Sequence, residues 1–182
     1  GQPGLLAFAS ADGLNWKQLQ ADPVITKGAF DSQNNAFWSA IEQQYVCYFR
    51  VFVDGKRWIA RTTSKDFIHW SEPIDLELGG QPRERLYTNQ FDPYVRAPHI
   101  YLGLPTRYLP GRRVLTDAEA RRIGTPTKWS YVNDCTDILL ASARGGDNFQ
   151  RTFMEAFVRP GGDLQNWTSR ANYAARGIVQ TG

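Results

Sequence analysis

Several of the chain's acidic side chains stand where their neighbours would tune a carboxyl group for proton transfer. Glu84 lies between Arg83 and Arg85. A carboxyl that either arginine reaches is favoured in its ionised form, which suits a base or a nucleophile. The alternative is a surface ion pair of little consequence. Glu155 lies in Phe153-Met154-Glu155-Ala156-Phe157, and burial among such neighbours would keep its carboxyl protonated, as a general acid requires. Arg159 offers the competing reading, a buried structural pair. Asp92 precedes Pro93 and reads first as a turn residue. Arg96, His99 and Arg107 follow on or beside the same strand and can hydrogen-bond the hydroxyls or carboxylate of a ligand, although a lone histidine is more often packed core. Trp38, Tyr87, Tyr94 and Trp129 offer rings that either stack on a ligand or fill space between sheets.

Other chemistries lack their signatures. The sequence holds no Gly-x-Ser-x-Gly turn, no Gly-rich phosphate loop and no His/Cys/carboxylate cluster at metal-ligand spacing. No cofactor is therefore expected, with one structural Ca²⁺ left open because carbonyl and water ligands leave no trace in a sequence. The net charge of +3 comes from scattered basic residues, which argues against nucleic acid. No apolar run is long enough to span a bilayer. Cys47 and Cys135 both fall in strand-like runs, where a buried free thiol is the default. Asn166-Trp167-Thr168 fits a glycosylation acceptor and equally an aromatic-pinned turn.

The elements that must hold these residues announce themselves by repetition. Ser10-Ala11-Asp12-Gly13-Leu14-Asn15-Trp16 returns as Ser64-Lys65-Asp66-Phe67-Ile68-His69-Trp70, 54 residues on, and a degraded copy runs from Ser142 to Phe149. An Asp at a tight turn accepts bonds from following amides while the aromatic packs beneath, so the phrase is a structural staple. Its period suits one four-stranded propeller blade. Between staples, strands are expected at Ala36–Trp38, Tyr45–Phe52, Arg57–Thr63 after an Asp54-Gly55 hairpin, and Pro73–Leu78. A second set is expected at Gln90–Arg96, Ile100–Leu104, Ile138–Ser142 and Phe153–Val158. Residues 110–130 interrupt that set and hold the one expected helix, capped by Thr116 with Glu119 as its capping-box partner and stopped by Gly124. This insertion is either a solvent-exposed excursion or a flap over a cleft.

The expected fold is thus all-β, a partial propeller of about two and a half four-stranded antiparallel blades with one short helical insertion. Residues 1–29 would end one blade, 30–80 form a complete one, 81–163 carry the blade with the insertion, and 164–182 start the next. Leu5–Ala9 reads as a third strand and Asn172–Gln180 as a first strand. Exposed edges imply an internal piece of a longer protein or a homodimer that covers them. Localisation stays open: soluble, with a periplasmic or secreted parent among the alternatives.

Five phrases carry a family resemblance: Phe30-Asp31-Ser32-Gln33-Asn34 leading to Phe37-Trp38, Tyr45 to Arg50, Leu86-Tyr87-Thr88-Asn89, Arg96-Ala97-Pro98-His99-Ile100, and Glu155-Ala156-Phe157-Val158-Arg159-Pro160-Gly161. On these the chain resembles the five-bladed propeller glycoside hydrolases, the group that holds arabinanases, xylosidases and invertases. The resemblance implies a carbohydrate partner and an axial funnel lined by carboxyls from the innermost strands. One carboxyl would protonate the leaving oxygen and another would act as base or nucleophile. It implies Asp31, Glu84 and Glu155 as catalytic residues, with Asn34, Asn89, Asp92, Arg96, His99 and Arg107 binding substrate. Asp31 precedes an inner strand much as the invertase-like Asp does, but the matching position five before the Trp holds Gln33. A turn-capping role for Asp31, and a carbohydrate-binding propeller without catalysis, are the competing readings. A sialidase fits less well, since its turn motif has an extra residue that Asp12-Gly13 lacks.

Overall fold

A computed structural model describes residues 3–128, 133–151, 153–167 and 170–181. Over the described residues the fold is all-β, built of antiparallel sheets apart from one short parallel pair, with one short α-helix. The first staple sits in a hairpin: β1 (Phe8–Ala9) pairs with β2 (Lys17–Gln18), and Leu5 bridges Ile25 below it. Next comes a four-stranded sheet of β3 (Asn35–Ser39), β4 (Gln44–Val53), β5 (Lys56–Ser64) and β6 (Ile74–Asp75), ordered as in sequence and antiparallel throughout. Asp54 and Gly55 turn the β4–β5 hairpin with φ of 49° and 69°, the left-handed pair that suits the twist of a two-residue hairpin.

The fourth expected strand is shorter than Pro73–Leu78. Only Ile74–Asp75 pairs with β5, whereas β7 (Glu77–Leu78) leaves the sheet and pairs in parallel with β14 (Asn148–Phe149). The second sheet contains β8 (Leu86–Thr88), β9 (Phe91–Tyr94), β10 (Ala97–Gly103), β11 (Thr106–Leu109), β12 (Cys135–Ile138) and β13 (Ala141–Ala143). They form two three-stranded sheets in one continuing register. Gly103 faces Phe91 and Thr106 faces Thr88, while Gly103 faces Ala141 and Thr106 faces Ile138. The bond from Leu139 N to Pro105 O, at 2.9 Å, spans the break.

The expected strands at Phe153–Val158 and Asn172–Gln180 do not form. Residues 150 and 158 touch β13 and β12 only through single bridges. Between them the carbonyls of Phe153 and Met154 accept from the arginines Arg107 and Arg151, so they are unavailable to a sheet ladder. Residues 172–180 cross the molecule as irregular chain held by side chains. Inside the insertion, α1 (Asp117–Arg122) has the expected capping box of Thr116 and Glu119, and Gly124 follows at φ 72°.

The two full staples match bond for bond. Asp12 accepts from the amides of Leu14 and Asn15, both at 2.8 Å, and Asp66 from those of Ile68 and His69 at 2.9 and 2.8 Å. Trp16 and Trp70 each donate the indole N–H back to residue 13 or 67 at 3.1 Å. Amide bonds to Asn15 and the His69 contacts hold the two carboxyls well below the usual range. The first Trp does not lie beneath a sheet, since it is 61% exposed. In the third copy the Gly146 N–H goes to Glu42 instead.

The core explains the stacking. Successive β4 side chains alternate faces, so Val46 and Tyr48 pack towards the second sheet with Phe91, Tyr101 and Phe149, while Cys47 and Phe49 pack towards Ile25 of the N-terminal hairpin. Cys47 and Cys135 are buried free thiols. The rings of Phe91 and Phe149 lie 4.3 Å apart. A methyl group at Gly103 would come within 2.0 Å of the Phe91 ring, so glycine is required where the two approach.

Candidate ligand-binding face

Strand direction decides which side of the molecule collects the polar residues. Asn35, at the start of β3, pairs with Tyr48 midway along β4, and Ala29 N donates to Arg50 O at 2.8 Å, so the chain leading into β3 runs along the half of β4 that ends at the 53–56 hairpin. In the second sheet Leu86, at the start of β8, faces Arg107, and Leu109 faces Cys135, so the insertion leaves from the same end. Contacts join the two starts: Ser32 Oγ donates to Tyr87 O at 2.9 Å, Arg85 to Gly55 O at 2.9 Å, and Lys56 to Arg83 O at 3.1 Å. Asp31, Glu84, the hairpin and the insertion therefore share one side.

Beside it the lead-in to β3, the β8–β9 junction and the C-terminal segment meet in a buried polar network. Asn35 donates to Asn89 Oδ1 at 2.7 Å, and Asn89 donates to Gln33 O at 2.8 Å and Tyr48 O at 3.3 Å. Gln90 donates to the Gln33 side chain and to Ala174 O, the latter at 2.6 Å. Arg176 holds Asp92 through two bonds of 3.1 Å and reaches Ala36 O at 2.9 Å. Asn34 folds back onto the carbonyls of Phe30 and Ser32, both at 3.0 Å. Asn34 Oδ1, Thr88 Oγ1 and Gln90 Oε1 are buried and have no partner among the described residues. Such atoms are rare in folded proteins, and each marks a place where a water molecule or a polar ligand group can complete the network.

A second cluster flanks this network. Arg50 and Phe52 share one face of β4, and Arg57 is the cross-strand partner of Phe52. The Arg50 guanidinium lies 5.6 Å from the Phe52 ring centre and 5.4 Å from that of Tyr87. Arg57 lies 5.8, 5.1 and 5.4 Å from Phe52, Tyr87 and Tyr108. Tyr173 packs edge-on against Tyr87 at 5.8 Å. Asp31 forms an ion pair with Arg50, and its own side chain is 76% exposed.

Glu84 enters a third cluster, with different partners from those its neighbours suggest. Arg83 pairs with Asp75 at 3.0 Å and Arg85 binds Gly55, because alternate side chains of an extended segment point together and away from the residue between them. Glu84 therefore faces the other way and accepts from Arg107 at 2.9 Å and from Arg151. Arg107 also grips Asp137 at 2.8 and 2.7 Å. That bidentate bond, with Glu84 adding to it, raises the guanidinium's pKa against the opposing effect of burial.

The remaining candidates lie elsewhere. Glu155 is exposed, with its carboxyl 3.5 Å from Arg159, so the burial expected of a proton donor is absent. Arg96 belongs to the β9–β10 turn at the opposite end of the second sheet, and His99 is exposed near it rather than packed in the core. Trp38, at the far end of β3, packs on Tyr45 at 5.0 Å. Trp129 falls outside the described residues. Asp31, Asn34, Asn89 and Tyr87 are thus brought to one face, with Glu84 and Arg107 behind them, while Asp92 lies further along β9, tied to Arg176. The sequence reading missed Gln33, Arg50, Arg57, Gln90 and Arg176. A usable signal existed for Arg50, a charged residue inside an otherwise apolar strand. Among the described residues no group of three or more His, Cys, Asp or Glu side chains is placed to hold a metal ion, and no helix is long and apolar enough to cross a membrane.

No family model and no curated protein matches the chain. Among solved structures it is similar to an N-acetylgalactosamine deacetylase from F. plautii, determined in complex with blood group B trisaccharide. The likeness is one of fold. The two chains share 10% identity at a TM-score of 0.51, over 82% of this chain and 35% of that one.

Proposed function

We propose that this chain belongs to a carbohydrate-binding protein of the propeller type and that its strand starts form the saccharide site. The reading rests on one observation: the lead-in to β3, the β8–β9 junction and the C-terminal segment converge with buried amide and hydroxyl groups still unpaired at Asn34, Thr88 and Gln90. Sugar hydroxyls both donate and accept, and so complement such groups, while the half-exposed ring of Tyr173 supplies a surface against which a sugar face can pack. The solved deacetylase structure carries a trisaccharide, which accords with this ligand class.

Hydrolysis of a glycosidic bond is the second reading. The exposed carboxyl of Asp31 favours it, with Glu84 on the same side as the second carboxyl that the chemistry needs. Arginine partners suit both to the charged roles of base, nucleophile or ligand anchor.

A glycan panel titrated with the chain, by calorimetry, tests the proposal. Gln90→Leu should weaken the best ligand about tenfold, the scale of one hydrogen bond to a well-placed partner. His99→Ala, on the far end, should leave affinity unchanged. The proposal fails if no saccharide binds, or if the two changes act equally. Release of reducing sugar that Asp31→Asn and Glu84→Gln abolish, with binding retained, would establish the hydrolase.

A further inference from the structure

The flanking cluster carries more positive charge than its neighbours neutralise. Arg50 and Arg57 share the Phe52 and Tyr87 rings, which draws two guanidinium groups to one place. Asp31 pairs with Arg50, whereas Arg57 forms no ion pair among the described residues. Both Nε atoms are buried without a hydrogen-bond partner, and the Arg50 side chain is only 5% exposed. Two like charges held together by rings, with one carboxylate between them, leave a surplus cation with free donors. Planar guanidinium donors in that state match the geometry of a carboxylate or sulfate group.

We infer that Arg50 and Arg57 form a subsite for an anionic substituent, so that the saccharide bound at the strand starts is an acidic one carrying a carboxylate or a sulfate ester. This rests on the saccharide reading above and narrows it. Arg57 is only half-buried and its terminal NH groups make no hydrogen bond among the described residues, so it can meet a ligand, whereas Arg50, 5% exposed, contributes charge from beneath. Arg57 is the selective residue of the pair, since Asp31 already occupies one edge of Arg50. The adjacent polar network would take the neutral hydroxyls of the same ligand.

The test compares three ligands on the 182-residue chain: an oligogalacturonide, its carboxyl-reduced neutral counterpart, and a sulfated galactan oligosaccharide. At least one acidic ligand should bind about tenfold more tightly than the neutral one, and the difference should shrink as salt rises. The favoured acidic arm identifies whether carboxylate or sulfate is read. Arg57→Gln should abolish the preference while leaving affinity for the neutral sugar in place, and Arg57→Lys should restore part of it. The wild-type salt dependence stands even if Arg57→Gln folds poorly. Equal binding of acidic and neutral sugars overturns this inference but not the saccharide site, whereas no binding by any sugar overturns both.

Discussion

Replacing Asn89 by Asp changes one atom of a side chain that is 1% exposed. The amide nitrogen donates to Gln33 O at 2.8 Å and Tyr48 O at 3.3 Å, while its oxygen accepts from Asn35 at 2.7 Å. After Asn89→Asp both carbonyls face an oxygen that cannot donate. Tyr48 O keeps its ladder partner opposite Asn35, so Gln33 O is the buried acceptor left unpaired, at a cost of about 2 kcal/mol. For a chain of this size that is a melting point lower by about 4 to 8 °C. Urea titration followed by tryptophan fluorescence, at pH 7 and in mild acid, measures it. The gap should narrow in acid, because a protonated carboxyl regains one donor. A loss under about 1 kcal/mol, or a gap independent of pH, would refute the claim that this amide ties the two sheets together.

Two further substitutions probe how the sheets are joined. Glu42 accepts from the Tyr101 hydroxyl at 2.8 Å and the Gly146 amide at 3.1 Å, and it pairs with Arg61. Burial alone would raise its pKa, but the Gly146 amide, the Tyr101 hydroxyl and Arg61 together hold the carboxyl below its ordinary value. A depressed folded-state value gives stability that is complete above the unfolded pKa and is lost as pH falls through the folded one. Glu42→Gln should therefore cost about 2 kcal/mol at neutral pH, with the deficit fading below about pH 4 in urea titrations; a deficit constant with pH would contradict this. Gly103→Ala drives a methyl into the Phe91 ring and should cost about 2 to 3 kcal/mol. Adding Phe91→Leu should then cost less than its effect in the wild-type background, and strict additivity would count against the contact.

What the sequence determined by itself is everything whose cause is local. The staple turns close through bonds spanning two or three residues, the helix cap through Thr116 and Glu119, and the Asp54-Gly55 hairpin through backbone preference, so each is legible in a short window. The near-continuous apolar run of β4, buried on both faces, is likewise written in its residues. The sites are different. Arg83 and Arg85 adjoin Glu84 in sequence, yet its partners are Arg107 and Arg151, 23 and 67 residues away. Glu155 has the neighbours of a buried acid but lies exposed, because the carbonyls of Phe153 and Met154 are recruited by those same arginines. Residues 153–158 carry a strand's composition without its ladder for the same reason. Tertiary structure alone brought Arg57 under Tyr87 and Tyr108, and Gln90 against Gln33 and Ala174. Which face a side chain takes follows from local periodicity, whereas the group waiting on that face depends on how separate sheets stack.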